Sequence, residues 1–141
     1  MTRIDFYSNV PDKIQYACRL VRKARAANCQ LVVFGADRTQ LAAIDEALWT
    51  FSDTDFLPHV MADDPLAAQT PVLLADADMT DLPHHELMIN LSSQTPPEFA
   101  RFERLLEIVA ADDEDKIAGR ERYRYYQQRG YPLSHFVADK S

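Results

Sequence analysis

Glycine is scarce in this chain of 141 residues, and its placement excludes the common phosphate-binding loops. The three glycines are Gly35, Gly119 and Gly130, and none falls in a GxGxxG or GxxxxGK[ST] spacing. The turn after the first predicted strand, residues 8–12, contains no glycine. A phosphate cradle needs glycine because the backbone must approach the phosphates closely and adopt positive φ. The sequence therefore argues against a nucleotide site.

Cysteine and long apolar runs are also scarce. Cys18 and Cys29 do not form a CxxC pair, and both lie in or beside apolar segments, so we expect no disulfide framework and a reducing compartment. No apolar run approaches the roughly 20 residues of a membrane span. The first residues carry Asp5 inside their apolar patch, unlike the apolar core of a signal peptide. We therefore expect a cytoplasmic protein.

Positive charge is in deficit, since the net charge is −7. A protein that binds nucleic acid by neutralising phosphates needs a basic surface, so we expect no strong direct binding to nucleic acid. Hydrophobic residues make up 47% of the chain and charged residues 26%, which is typical of a globular protein. The length predicts a single domain over residues 1–141.

Strand and helix signals alternate along the chain. Short apolar runs predict strands at residues 3–7, 30–34, 71–75 and 86–91. Helical spacing and capping signals predict helices at residues 12–28, from 37 to about 49, at 99–109 and from 112 to about 129. Residues 51–61 are predicted to be irregular, and the last nine residues an extended tail. The alternation predicts an α/β fold, with three layers and a mostly parallel sheet.

Residues with catalytic or metal-binding potential are few. His84-His85-Glu86 lacks the HExxH spacing and the distant cysteine pair of a zinc site, so we interpret it as a polar loop. Asp76 to Asp81 lacks the glycine and final glutamate of a calcium loop. We expect neither a metal nor a cofactor, and no catalytic activity. A small enzyme that acts on a nucleotide or phosphate ester through Asp76, Asp78 or His84 remains the alternative.

Two segments carry residues that core packing alone does not explain. The first, residues 41–59, places Trp49, Phe51 and Phe56 around a short acidic loop. Tryptophan and phenylalanine beside a helix end can cap the core, but they also anchor protein interfaces. The residue types alone leave both interpretations open.

The second segment, residues 116–131, has a net charge of +4, while the remainder of the chain carries −11. Lys116, Arg120, Tyr123 and Gln127 follow 4-3-4 spacing and therefore share one helix face. The face can be a solvated surface, or a pocket for an acidic peptide, because four tyrosines add aromatic area beside the arginines. A third interpretation is a stacking platform for single-stranded DNA, which the charge elsewhere disfavours.

Motifs in both segments resemble one known family. They are Asp45-Glu46-Ala47-Leu48-Trp49 followed by Phe56-Leu57-Pro58-His59, and Ala118-Gly119-Arg120-Glu121-Arg122-Tyr123 followed by Tyr126 and Gly130-Tyr131. With the start Ile4-Asp5-Phe6-Tyr7, they resemble the chi subunit family of DNA polymerase III over essentially the whole chain. The resemblance implies a Rossmann-like fold without nucleotide activity.

The resemblance also implies a replisome adaptor with two partners. One is the psi subunit, which ties chi to the clamp-loader complex. The other is the C-terminal tail of single-stranded DNA-binding protein, which ends in acids, Ile-Pro-Phe and a free carboxylate. By motif position, Trp49, Phe56, Leu57, Pro58 and His59 would bind psi. The residues that would bind the tail are Lys116, Arg120 and Tyr123, with Val109 and His135 lining the pocket.

Overall fold

The fold is built on one parallel sheet of seven strands, seen in a computed structural model that describes residues 1–50 and 57–138. The strands are β1 (Arg3–Val10), β2 (Leu31–Phe34), β3 (His59–Met61), β4 (Val72–Ala75), β5 (Leu87–Asn90), β6 (Arg104–Ala110) and β7 (Leu133–Val137). The helices are α1 (Lys13–Ala26), α2 (Arg38–Thr50) and α3 (Asp113–Gln128). Within the described residues, no helix is both long and apolar enough to cross a membrane.

The strand order is β3-β4-β2-β5-β6-β1-β7, and every neighbouring pair is parallel. Helices cover both faces of the sheet. Successive side chains of a strand point to opposite faces, and two neighbouring residues of β1 contact different helices. Phe6 packs against two tyrosines of α3, whereas Tyr7 contacts Tyr16 of α1. Helix α2 packs against α1 and β4. The predicted three-layer, Rossmann-like α/β fold is confirmed.

The predicted helix starts and stops are confirmed at several positions. Asp12 caps α1 by accepting a hydrogen bond from the Gln15 backbone N–H. At the start of α2, the Asp37 carboxylate accepts the Gln40 backbone N–H at 2.9 Å, and the Gln40 side chain accepts the Ala36 N–H at 2.7 Å. Helix α3 is followed by Gly130 at φ +79°, a conformation that favours glycine.

The predicted helix at residues 99–109 is wrong. Only Phe99–Arg101 form a single 3-10 turn, and Arg104–Ala110 form β6 between β5 and β1. The 3-4-3 spacing from Phe99 to Val109 is the misleading signal. A strand buried on both faces is apolar at nearly every position, so such a spacing arises in it by chance.

Two strands lie where the sequence predicted none. His59–Met61 form β3, the strand at one edge of the sheet, within a segment predicted to be irregular. Leu133–Val137 form β7 at the other edge, where the sequence predicted an extended tail. Both are short and each pairs on one side only, so their positions depend on tertiary contacts that no local pattern encodes.

Helix α3 approaches the sheet most closely at Gly119. A Cβ atom on this glycine would lie 2.8 Å from Val109 Cγ2 and 3.0 Å from Val109 Cγ1. Real Cβ atoms do not approach other atoms so closely, so a larger residue would push the helix away from β6. The glycine therefore fixes the distance between α3 and the sheet.

We expect Gly119→Ala to lower the free energy of unfolding by about 1–3 kcal/mol, the usual effect of overpacking. The loss should occur although alanine favours a helix by about 1 kcal/mol over glycine. Urea denaturation measures the change, and Gln128→Ala at an exposed position of α3 is the control. A Gly119→Ala protein as stable as the wild type would contradict the close contact.

Candidate functional site

One cavity of about 620 Å³ lies between α3 and the edge of the sheet formed by β1 and β7. We call it the α3 groove. It contains all five residues that the family resemblance assigns to the acidic tail: Val109, Lys116, Arg120, Tyr123 and His135. Residues that the resemblance does not assign to the tail also line it: Phe6, Ser8, Asn9, Gly119 and Arg124.

The floor of the α3 groove is apolar and aromatic. Phe6 and Val109 are almost fully buried and belong to the hydrophobic core. The Tyr123 ring meets the Phe6 ring edge-on, with centroids 5.2 Å apart. Gly119 of α3 lies over Val109, and both residues line the cavity. The floor can therefore receive an aromatic or aliphatic side chain.

The rim of the α3 groove is cationic. Lys116, Arg120 and Arg124 follow one another at four-residue spacing on α3, so they share one side of the helix. Arg120 and Arg124 are exposed, and Lys116 is half-buried. Among the described residues, no carboxylate pairs with any of these three cations. Their charges are therefore available to an anionic ligand.

His135 reaches the groove from β7, opposite the helix. Its Nε2 lies 2.7 Å from Ser8 Oγ at the end of β1, within hydrogen-bond distance. The next residue, Asn9, has φ +58°, the left-handed conformation, and β1 is irregular between Tyr7 and Val10. The serine–histidine contact fixes the imidazole at one wall of the groove.

A buried charged network holds α3 against the sheet. Glu107 of β6 is fully buried and accepts hydrogen bonds from Arg122 Nε at 3.0 Å, Tyr126 OH at 2.6 Å and Asn90 Nδ2 at 2.8 Å. Arg122 Nη1 also donates to the Ser93 carbonyl oxygen. Since Arg122 and Tyr126 belong to α3, the network joins the helix to β5 and β6.

Burial is the largest influence on the pKa values of Glu107 and Tyr126. Burial raises the pKa of Glu107 above its ordinary value of 4.5, although the Arg122 charge and the three hydrogen bonds act in the opposite direction. Burial and the neighbouring Glu107 carboxylate raise the pKa of Tyr126, so this phenol stays protonated and donates its hydrogen bond. One signal in the sequence marks Glu107, since it is the only acid inside the apolar run 105–109.

The network changes the sequence-based interpretation of residues 116–131, in which all the arginines and tyrosines add to an exposed surface. Arg122 and Tyr126 are buried, so neither belongs to an exposed patch. Tyr131 is half-buried, and Tyr125 is covered by Arg129, whose guanidinium carbon lies 3.6 Å from the ring centroid. Arg122 and Tyr126 therefore cannot contribute to the stacking platform for DNA that this segment suggested as an alternative.

The residues assigned to psi lie at the opposite edge of the sheet, around β3. Trp49 is 54% exposed near the end of α2, and its ring lies 4.8 Å from that of His59. His59 is buried, with Nδ1 2.6 Å from the Leu57 carbonyl oxygen and Nε2 2.9 Å from Asp45 Oδ1. Pro58 is exposed, and Leu57 is buried. We call this the β3-edge surface; Phe51 and Phe56 lie outside the described residues.

The residues suggested for an alternative enzyme lie in turns and loops beside the sheet, and the cysteine of α1 lies in the core. Asp76 is buried, and its carboxylate accepts the Asp78 N–H at 3.0 Å in a tight turn. His84 is buried, with Nε2 2.6 Å from the Thr70 carbonyl oxygen. Cys18 lies in the core, where burial raises the pKa of its thiol to about 11. The Asp76 and His84 side chains thus have structural roles, whereas Asp78 is exposed and contributes its backbone N–H to the turn.

Comparisons with known proteins agree on one family. Residues 1–134 match the family described as DNA polymerase III chi subunit, HolC. A Pseudomonas aeruginosa protein named DNA polymerase III subunit chi is 34% identical over 137 residues, with 94% of each chain covered. Proteins with the same name from Haemophilus influenzae and Escherichia coli are 27% and 24% identical over 120 residues. These two alignments cover 85% of this chain and 83% and 82% of the relatives.

A solved structure shares the fold. It is a chain in the crystal structure of E. coli DEAD-box protein SrmB bound to regulator of ribonuclease activity A, with a TM-score of 0.66. The match covers 99% of this chain and 92% of that chain, at 14% identity. Identity this low supports the architecture alone and carries no functional argument.

The raised pKa of Glu107 makes a prediction about stability and pH. The folded protein holds the Glu107 proton to a higher pH than the unfolded chain does. The stability of the wild type relative to Glu107→Gln should therefore be greatest below about pH 4.5 and fall as the pH rises through the folded-state pKa. Urea denaturation of both proteins between acidic and neutral pH measures the difference.

Glu121→Gln, at an exposed position of α3, is the matched control for removing one carboxylate. If the wild type instead gained stability over Glu107→Gln as the pH rose, pairing with Arg122 would outweigh desolvation, and the stated pKa direction would be wrong.

Proposed function

The chain belongs to the DNA polymerase III chi subunit family, and from this membership we propose that it is a non-catalytic replisome adaptor. In this role it links the clamp-loader complex, through the psi subunit, to the acidic C-terminal tail of single-stranded DNA-binding protein. The observation that carries the proposal is the α3 groove, where five residues assigned from the family motifs surround one cavity.

The chemistry of the α3 groove suits a peptide that ends in an aromatic residue. The planar guanidinium of Arg120 can form two hydrogen bonds with a terminal carboxylate, and Lys116 can attract the preceding acids as a point charge. The apolar floor formed by Phe6, Val109 and Tyr123 can receive a phenylalanine ring. The net charge of −7 repels DNA, while the groove attracts an acidic tail.

The strand order supports two partners that bind at the same time. The β3-edge surface lies at the first strand of the sheet, and the α3 groove lies beside β1 and β7 at the other end. Five strand spacings of about 4.8 Å separate β3 from β1, or roughly 24 Å. A partner on one surface therefore leaves the other accessible.

The groove is small, so the proposed peptide contact is moderate in strength. We expect a Kd in the micromolar range, or roughly −8 kcal/mol. Much of the attraction comes from exposed cations, and salt screens such charges beyond a Debye length of about 8 Å at physiological ionic strength. The affinity should therefore fall as salt rises.

Arg120→Ala should weaken binding of an acidic peptide with a C-terminal phenylalanine by roughly 10- to 100-fold, because a charge-assisted hydrogen bond contributes about 1.5–3 kcal/mol. Isothermal titration calorimetry measures the change. Arg129→Ala removes the same charge from the C-terminal end of α3, outside the groove, and should have little effect.

The peptide itself provides a second test of the same contact. Removing the terminal phenylalanine should abolish binding, and amidating the terminal carboxylate should weaken it about as much as Arg120→Ala does. Equal affinities of the free-acid and amidated peptides would contradict the carboxylate contact.

Trp49→Ala should disrupt the complex with a psi subunit and leave peptide binding intact, because the two surfaces lie at opposite sheet edges. Truncating a central interface tryptophan typically weakens binding by at least about 2 kcal/mol, or roughly 30-fold. Co-purification with psi and peptide titration are the two measurements. Ile117→Ala, which shortens a similarly exposed apolar side chain on α3, is the control. Equal loss of both activities would contradict two separate sites.

A further inference from the structure

Helix α1 carries a concentration of positive charge that the proposed function does not use. Its 14 residues include five cations and no acid. Lys13 pairs with Asp115 of α3, and Arg25 donates a hydrogen bond to the Cys29 carbonyl oxygen. Arg19 and Lys23 are exposed, and no described carboxylate pairs with either. These two cations face solvent on a protein whose net charge is −7.

Three aromatic rings form a row beside these cations. The Tyr16 ring of α1 lies 5.7 Å from the Tyr7 ring of β1, which stacks at 5.3 Å and 23° on Phe136 of β7. The Arg19 guanidinium carbon lies 5.9 Å from the centre of the Tyr16 ring at the other end of the row. Phe136 is 49% exposed, and all but the first residue of β7 is exposed. The row therefore crosses a part of the sheet that is accessible to solvent.

This ring row lies on the face of the sheet opposite the α3 groove. Tyr7 of β1 and Phe136 of β7 are paired neighbours. Each comes directly after a residue that lines the groove, Phe6 in β1 and His135 in β7. Successive side chains of a strand point to opposite faces, so the rings and the groove are separated by the sheet. A ligand on the rings would not compete with one in the groove.

A cavity of about 550 Å³ adjoins the row and adds further charges. It is lined by Arg3, Tyr7 and Lys23, together with Arg104. The Arg104 guanidinium is paired with the buried Asp5 carboxylate, whereas Arg3 is exposed and has no described partner.

Two carboxylates, Glu86 and Glu103, also line this cavity. They would repel a phosphate at that end. These carboxylates would keep a polyanion out of the cavity interior. The cations Arg3, Lys23 and Arg19 would instead attract it along α1 and the ring row.

We propose that this surface, formed by Arg3, Arg19, Lys23 and the rings of Tyr7, Tyr16 and Phe136, makes a weak, sequence-independent contact with single-stranded nucleic acid. Aromatic rings beside unpaired cations bind single strands because bases stack on the rings while the phosphates meet the cations. An acidic peptide without aromatic side chains would use the cations alone and leave the exposed face of Phe136 uncovered. The ring row therefore favours nucleic acid over such a peptide.

The proposal does not depend on the α3 groove, and it agrees with weak overall affinity for DNA. Three cations neutralise about three phosphates, so the logarithm of the binding constant should fall with the logarithm of salt concentration with a slope of about −2. Affinity should be measurable at low salt and largely lost at physiological salt. A fluorescently labelled thymidine oligonucleotide of about ten residues is the probe, and anisotropy is the measurement.

Two variants separate the roles of charge and rings. Arg19→Ala combined with Lys23→Ala should weaken binding and reduce the salt slope to about −0.7, the value for one phosphate. Phe136→Ala should weaken binding by roughly 5- to 100-fold through lost stacking and leave the slope unchanged. Glu103→Gln should tighten binding because it removes repulsion. All these positions are exposed, and thermal melts verify that each variant folds.

Arg101→Ala, at an exposed arginine that does not line this cavity, is the control for the loss of one positive charge elsewhere and should have little effect. Three results would overturn the proposal. The first is no binding at low salt. The second is a greater loss with Arg120→Ala than with the Arg19/Lys23 variant, which would place the oligonucleotide in the α3 groove. The third is full displacement by an aspartate peptide with no effect of Phe136→Ala, which would identify a general acidic-polymer surface.

Discussion

The attachment of α3 to the sheet depends on one buried carboxylate, Glu107. It lies in the middle of β6 with no exposure to solvent, and three donors from β5 and α3 surround it. A buried charge is tolerated only when it is paired and hydrogen-bonded, so the network permits essentially one placement of Arg122 and Tyr126. Their placement sets the rotation of α3 about its axis and thereby orients Lys116 and Arg120 toward the α3 groove.

The parallel sheet keeps three surfaces apart: the β3-edge surface, the α3 groove and the ring row. The β3-edge surface with Trp49 lies at one end of the strand order, and the α3 groove lies at the other. The ring row around Tyr7 shares the second end but lies on the opposite face. A small domain can thus offer separate contacts because every strand alternates its side chains between two faces. This arrangement suits the proposed adaptor, which must hold its partners simultaneously.

The sequence predicted the parts of the fold that local chemistry determines. Asp12, Asp37 and Gly130 mark helix boundaries through capping or backbone conformation, and the structure confirms all three. The sequence could not distinguish β6 from a helix. A strand buried on both faces lacks the alternation of apolar and polar residues that identifies a half-exposed strand. The edge strands β3 and β7 also escaped prediction, since their pairing is set by distant residues.

The candidate site was predictable in part for similar reasons. Lys116, Arg120 and Tyr123 share one helix face by spacing alone, and the structure brings them to one cavity. Phe6 and Ser8 reach it only through the pairing of β1 with β6 and β7.

The most direct test of the proposed adaptor is titration of the peptide into the protein alone and into its complex with psi. Independent sites predict affinities that agree within about twofold; loss of peptide binding in the complex would contradict the account.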